Sequence, residues 1–475
     1  MKNVLFLIAD DLRPNLDVYQ GLGYHLGQSH TPNLDQLAKK SILFQRAYVQ
    51  YALCSPSRTS FLTGRRPDTT QVYDLQTYFR TIGNNFTTMP QYFKEHGYQT
   101  EGMGKIFHPG KASNNDDPPS WNKYHHDGTS QTSHNLDYSW KAVNDSERSH
   151  NPLVDEVISK TAKEVLQTLS SGSKPFFLAV GFHKPHLPFE FPEKFLSYFP
   201  EDNIQLPSNE FPPHGMPDIA WSRYRELRSY RDISALHATG ESNTLLPHHV
   251  VRELRRAYIC AVAYMDSLVG EILAEVKRLN LESNTVISFI GDHGFSLGEH
   301  GLWSKDTNFE DVVHAPMMIS VPGLTDNGVV TNQLVEHVDL FPTLVEVAGL
   351  PLLHTCPEHS HLDTCTEGTS MVPLIHHPLS QIKQAAFSQT FRHRAMGYSI
   401  RTDRYRYTEW PAFDSRTKKP DFTHSYGSEL YDHVNDKEEN NNIVARPENA
   451  QIVTTLRDML RKGWRSVSKD PSIIG

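Results

Sequence analysis

The chain is predicted to be an α/β protein. A large N-terminal unit, residues 1–378, would hold a mostly parallel, mixed central sheet flanked by helices, and residues 379–475 would form a smaller α+β unit with an antiparallel sheet. Three observations predict this. The apolar runs 4–9, 176–181 and 286–290 have strand length and no polar alternation, as strands buried on both faces do. Helix-length segments alternate with them, the pattern of a sheet covered by helices. Near residue 380 the pattern changes, and 396–401 and 405–410 alternate around Thr402-Asp403 like an antiparallel hairpin.

Strand 4–9 comes first and ends at Asp10 and Asp11, placing two carboxylates at the carboxyl edge of the sheet, where open α/β sheets take ligands. Thr31 is the candidate cap of a helix opened by Pro32. A second helix over roughly 59–63 comes after Cys54, which stands at its N-terminal end. Residues 89–96 read as a helix stopped by Gly97, and strand 99–102 delivers Lys105 and His108. Residues 113–150 are rich in Asn, Asp, Ser and His and read as an irregular surface excursion. Helix 155–169 precedes strand 176–181, which delivers His183, Lys184 and His186; His186, held between prolines, reads as structural. The proline-rich stretch 189–249 reads as loops and short helices over the site, and 250–279 as one long helix. Strand 286–290 ends at Asp292-His293, and a last helix spans about 447–464.

With 475 residues and 38% hydrophobic content the chain can bury a sizeable core. Mean hydropathy is −0.51 and no apolar run reaches the roughly 20 residues of a bilayer span. The apolar stretch after Met1 is too short for a signal peptide and ends in acids, so it reads as the first strand. Net charge is −9, and no basic run or nucleic-acid motif is present. An anionic ligand therefore needs a local cluster of Lys, Arg and His. Of four cysteines, Cys260 lies in an apolar helical run as a buried thiol. Cys356 and Cys365 could close a disulfide in an oxidising compartment; the alternatives are two free thiols, or a zinc site with His354, His359 or His361. Asn85 and Asn144 open glycosylation sequons.

Asp10-Asp11, His183 and Asp292-His293 thus reach one sheet edge from three strands, and Lys105 arrives the same way. Asp and Lys are rarely buried unpaired, so this convergence points to a site. Near it stands Cys54-Ser55-Pro56-Ser57-Arg58, followed four residues later by Thr63-Gly64. The extended pattern C-x-P-S-R-x4-T-G, with an Asp pair upstream and Asp-His-Gly downstream, resembles the type I sulfatases. The likeness runs along nearly the whole chain: IADDLRP (8–14), FLTGRRPDTT (61–70), PQYFKEHGY (90–98), GKIFHPG (104–110), PFFLAVGFHKPHLPF (175–189), GDHGFSLGEHG (291–301) and MGYSIRTDRYRYTEW (396–410). Within that family the chain is most similar to members that remove the 2-O-sulfate of iduronate.

The resemblance implies that a formylglycine-generating enzyme oxidises Cys54 to an aldehyde, whose hydrate carries two hydroxyls on one carbon. It implies one Ca²⁺ held by Asp10, Asp11, Asp292, His293 and the converted Cys54. Arg58, Lys105 and Lys305 would surround the sulfate, His183 with Lys305 would protonate the leaving alcohol, and His108 would assist. Lys184, His300 and Arg394 are candidate substrate contacts, Arg394 for a uronate carboxylate. The expected partner is a sulfated glycosaminoglycan, heparan or dermatan sulfate, or a related uronate glycan. The expected location is the lysosome or secretory route of an animal cell, or the periplasm or exterior of a bacterium. Phosphonate and phosphodiester hydrolases of the same superfamily are the enzymatic alternative, and a glycan-binding protein with unconverted Cys54 the non-enzymatic one. The chain departs from the pattern at Phe295, where tryptophan is usual, and in lacking a further cysteine pair near 120–150. Intact mass spectrometry of active protein is expected to find a chain about 18 Da lighter than encoded, the change from thiol to aldehyde at Cys54; an unshifted mass in an active sample would refute it.

Overall fold

A computed structural model describes residues 1–20, 29–82, 85–126, 136–358, 360 and 362–467. His359 and His361 lie outside the described residues. Among the described residues ten strands precede the C-terminal sheet: β1 Asn3–Ala9, β2 Ile42–Tyr48, β3 Gln99–Gly104, β4 Lys123–His125, β5 Trp140–Val143, β6 Phe176–Phe182, β7 Phe189–Pro192, β8 Thr285–Gly291, β9 Met317–Ser320 and β10 Val329–Glu336. Eight of them form one sheet in the order β10-β2-β9-β8-β1-β6-β3-β4, and β5 pairs with β7. Strands β8, β1, β6, β3 and β4 run parallel; β9 is antiparallel to both β8 and β2. The carboxyl ends of β1, β3, β6 and β8 therefore share one edge.

Every residue of β1, β6 and β8 is buried, as their unbroken apolar runs require. Alternate side chains of β1 enter two cores. Leu5 and Leu7 pack with helices Val154–Ser170 and His248–Arg278. Val4, Phe6 and Ile8 pack with helices Cys54–Thr63, Met89–Glu95 and Leu340–Val347. Each such large apolar side chain contributes about 2 kcal/mol by leaving water.

Helix Cys54–Thr63 starts at the cysteine itself, earlier than the motif predicts, and all ten of its residues are buried. Its polar side chains survive burial by bonding locally: the Thr63 hydroxyl donates to Thr59 O at 2.6 Å, and the Ser57 hydroxyl donates to Asp292 O. Two glycines let β3 and β6 close up beside it. Gly104 adopts φ +70°, and a Cβ there would meet Gly181 O at 2.1 Å. A Cβ on Gly181 would meet Lys105 O at the same distance.

Other expectations change. Helix Pro32–Ala38 is capped by Asp266, whose carboxylate accepts from Asn33 N at 3.2 Å and Leu34 N at 2.8 Å, whereas the Thr31 hydroxyl accepts from Asp17 N. The stretch 113–150 holds β4, β5 and a helix, Asp145–His150, besides irregular chain. Asp117 there is buried under Tyr78, Arg80 and Ser120. Cys356 and Cys365 form a disulfide with Cα atoms 5.0 Å apart. Asn85 and Asn144 are exposed. Among the described residues no helix is long and apolar enough to cross a membrane.

The C-terminal sheet is antiparallel, in the order β11 Ala386–Arg392, β12 Ala395–Arg401, β13 Tyr405–Asp414 and β14 Lys419–Asp432. Helix Ala450–Lys462 covers one face through Val453, Leu456 and Leu460. Glu336, at the end of β10, ties this sheet to the large one. It accepts from Arg66 at 2.7 and 2.6 Å, from Lys383 at 2.8 Å and from Phe387 N at 2.8 Å. Burial alone would raise its carboxyl, but Arg66 and Lys383 hold it at about 2 against an ordinary 4.5. A depressed carboxylate stabilises the fold fully above its ordinary value, and that contribution is lost as pH falls toward the folded value. Glu336→Gln is expected to lower stability at neutral pH and to flatten the loss between about pH 4.5 and about pH 2, read by urea unfolding. An acid slope equal to that of the unaltered chain would contradict the clamp.

Candidate active site

The shared edge of β1, β3 and β8 carries a buried cluster of opposite charges. Arg58, four residues into the helix from Cys54, is fully buried. Its Nε donates to Asp292 Oδ2 at 2.9 Å and its Nη2 to Asp10 Oδ1 at 3.1 Å. Its Nη1 donates to the carbonyls of Lys105 and Ile106. Lys105 Nζ pairs with Asp10 and lies 3.5 Å from Cys54 Sγ. Lys305 Nζ contacts both oxygens of Asp11, at 3.1 and 2.9 Å, and Glu226 at 2.9 Å. The strand-end acids are fixed from behind: Asp11 N donates to Asp292 Oδ1 at 3.0 Å, and the Tyr258 hydroxyl donates to Asp11 O at 2.8 Å. These two bonds hold Asp11 at φ 58°, a left-handed conformation that disfavours a side chain.

The electrostatics favour negative charge at position 54. Burial and Asp10 oppose ionisation of the thiol, but Lys105, Lys305 and a hydrogen bond from His108 outweigh them and hold it well below its usual range. Burial pushes His108 down, which keeps its imidazole neutral. Lys305 is held well above the ordinary lysine range, because Asp11, Cys54 and Glu226 outweigh its burial.

Asp10, Cys54, Asp292 and His293 offer ligand atoms that all lie within 4.8 Å of one another, and Asp11 forms a second such group with Cys54 and His186. His293 Nδ1 bonds Gly294 O at 2.9 Å, leaving Nε2 buried without a hydrogen-bond partner. Burial, with Asp10 adding repulsion, pushes Asp11 upward and Asp292 up to about 7. An imidazole nitrogen 3.6 Å from Asp292 Oδ2, beside carboxylates so crowded, fits a divalent cation in place of the proton that Asp292 and Cys54 now hold on it, and the oxygen-rich set suits a hard ion.

The four residues of His183-Lys184-Pro185-His186 divide differently from the sequence expectation. His183, expected to act with Lys305, is tied instead to helix Val154–Ser170: Asp155 accepts from His183 N and Lys184 N at 2.8 and 2.9 Å, and burial raises that carboxyl while the charge of His183 lowers it. His186 occupies the place beside Lys305. Its Nε2 lies 3.1 Å from Glu226 Oε1 and 3.9 Å from Asp11 Oδ2, and its Nδ1 bonds Leu187 O at 2.6 Å. Burial and Lys305 lower its pKa, but Asp11, Glu226 and Asp10 raise it above the ordinary histidine range. The turn between the two prolines makes this exchange. Lys184, expected at the substrate, spends its ammonium on that turn, donating to His186 O at 2.9 Å and Pro188 O at 2.7 Å.

His300 and Arg394 also stand apart from the cage. His300 packs against Phe309, tilted by 31° with ring centroids 4.6 Å apart, and lines a different cavity with Arg13 and Glu299. Arg394 is exposed in the turn joining β11 and β12, over the ring of Tyr426. The base of its hairpin adjoins the cage, since Arg392 and Thr390 bond Asp306 at 2.9 and 2.7 Å, next to Lys305. Phe295 packs edge-on against Phe189 and lies 5.9 Å from Lys305 Nζ. Glu226, from the short helix Arg225–Arg228, belongs to no motif and was missed by sequence reasoning.

Comparison with known proteins agrees with this geometry. A family model described as Sulfatase matches residues 2–350, and one described as N-sulphoglucosamine sulphohydrolase, C-terminal, matches residues 298–465. The chain is 37% identical to iduronate 2-sulfatase of Mus musculus over 518 residues, covering 96% of this chain and 93% of that protein. Phosphonate monoester hydrolase from Silicibacter pomeroyi superposes with TM-score 0.73 at 20% identity, over 99% and 96% of the two chains. A 2-O GAG sulfatase superposes with TM-score 0.70 at 19% identity, over 99% and 96%. These two likenesses speak for the fold alone. Replacing the cage imidazole, His186→Gln, is expected to lower kcat by about 10²-fold or more, while His183→Gln stays within a few-fold. The opposite ranking in steady-state assays of the two variants would reverse the placement.

Proposed function

Since the chain belongs to the sulfatase family and hydrolyses a sulfate ester, we propose that its substrate is the 2-O-sulfate of a terminal iduronate in heparan or dermatan sulfate. The observation that carries this reading is the convergence of Arg58, Lys105 and Lys305 on Cys54 at the sheet edge, in a chain 37% identical to an iduronate 2-sulfatase. Sγ of Cys54 stands in for the oxygen of a formylglycine hydrate. That hydrate would supply one hydroxyl to attack sulfur and a second whose deprotonation would expel sulfate, which serine could not do. Ca²⁺, held by Asp10, Asp11, Asp292, His293 and the converted residue 54, would supply Lewis acidity at the sulfate oxygens.

The chain's own residues do the rest. Lys105, 3.5 Å from Sγ, and Lys305 favour the anionic form of residue 54 and the three sulfate oxygens. Arg58 orients Asp10 and Asp292, and Asp292, which burial pushes up to about 7, takes the proton of the attacking hydroxyl. His186, charged and anchored through Nδ1 on Leu187 O, donates its Nε2 proton to the leaving alcohol in place of its contact with Glu226, with Lys305 beside it. Neutral His108, hydrogen-bonded at position 54, accepts the proton released when the sulfated hydrate collapses. The protons of the attacking hydroxyl and of the collapsing hydrate thus go to Asp292 and His108, and the one the alcohol needs comes from His186.

The disulfide between Cys356 and Cys365 supports an oxidising compartment: lysosome or secretory route in an animal cell, periplasm or exterior in a bacterium. The reading is tested with defined disaccharides. Sulfate release is expected from one ending in 2-sulfated iduronate and not from one ending in 6-sulfated glucosamine. A preference for the glucosamine ester would overturn the substrate, and faster hydrolysis of an aryl phosphonate than of the matching aryl sulfate would favour a phosphonate hydrolase on the same fold.

A further inference from the structure

A second cleft, of about 290 Å³, opens where the C-terminal sheet meets the loop after helix Cys54–Thr63. Phe387, Tyr398, Phe422 and Trp464 wall it, all half-buried, with Arg66 and Asp68 among its polar groups. The rings are held in place. Phe422 and Tyr398 lie 5.8 Å apart, and Asp68 accepts from the Tyr398 hydroxyl at 2.9 Å and from Gln389 at 2.8 Å. The Arg66 guanidinium lies 5.7 Å from the Phe387 ring and 5.3 Å from that of Trp464. Glu336 takes its two terminal nitrogens, but its Nε–H is buried with no acceptor, on a residue only 8% exposed. Arg461 adds a second guanidinium, 5.0 Å from Phe422.

Resting on the substrate reading above, we propose that this cleft is a saccharide subsite, holding a sugar unit of the glycan beyond the one that carries the hydrolysed sulfate. Mostly apolar walls with a few placed polar groups are what a small-ligand site presents. The flat C–H faces of a sugar ring suit aromatic walls, and its hydroxyl oxygens suit the polar groups set among them, Arg66, Asp68, Gln389 and Arg461. Position agrees as well. β11 carries Gln389 at the cleft and Arg392 on Asp306, beside Lys305 of the cage. Three residues of strand span about 10 Å, so a short oligosaccharide with its end in the cage reaches the cleft.

The test compares Phe422→Ala with the unaltered full-length chain on two substrates, a heparan-derived hexasaccharide and a disaccharide, each ending in 2-sulfated iduronate. KM for the hexasaccharide is expected to rise about ten-fold, with kcat and all disaccharide kinetics unchanged, and Phe422→Tyr is expected to restore it. Unchanged disaccharide turnover also shows that the variant is folded. Equal effects on both substrates, or on neither, would overturn the subsite. If the unaltered chain hydrolyses neither substrate, the substrate reading fails, and calorimetric binding of the hexasaccharide then decides: weaker binding by Phe422→Ala supports the cleft, and equal binding or none overturns it.

Discussion

One guanidinium organises the functional edge of this molecule. Arg58 binds Asp10 at the end of β1, Asp292 at the end of β8, and the carbonyls of Lys105 and Ile106 after β3, all from a helix whose first residue is Cys54. Four segments distant in sequence are thereby set at hydrogen-bond distances from each other. Such a knot does not stabilise the protein in proportion to its bonds. Taking charges out of water costs several kcal/mol per ion before their attraction is counted. The uniformly apolar strands and the two cores on either side of β1 offset that cost. The sheet holds the charges together more than the charges hold the sheet.

The carboxylates were legible because each closes a run of residues with only one structural reading. Residues 4–9 and 286–290 can only be buried strands, so the acids directly after them must stand at the edge. Strands β2, β9 and β10 were not legible. β9 has four residues, and β2 and β10 interrupt their apolar pattern with Gln45, Arg46, Asn332 and Gln333. β14 is largely polar and half-exposed, and only its pairing with β13 identifies it as a strand.

Within the site, the limit of sequence reasoning is clearest at His183 and His186. Both come within four residues of the end of β6 and both are imidazoles. Which one faces the cage depends on a turn whose shape is set by Lys184 bonding its carbonyls and by Asp155 holding its amides. Neither contact has a signature in spacing. Glu226 illustrates the same limit, since it reaches the cage from a stretch that carries no motif. His300 misled for the converse reason: it sits in a motif-rich segment, yet its ring turns away against Phe309.

The side chain of Cys54 is 1% exposed, enclosed by its own helix and by the ends of β1 and β3. No second protein can grip a residue so enclosed. Any enzyme that acts on this thiol must therefore meet it before the helix docks, while the segment around residue 54 is still extended. Folding sets a deadline for the chemistry. A chain that collapses first keeps its encoded thiol sealed, and only unfolding would expose it again.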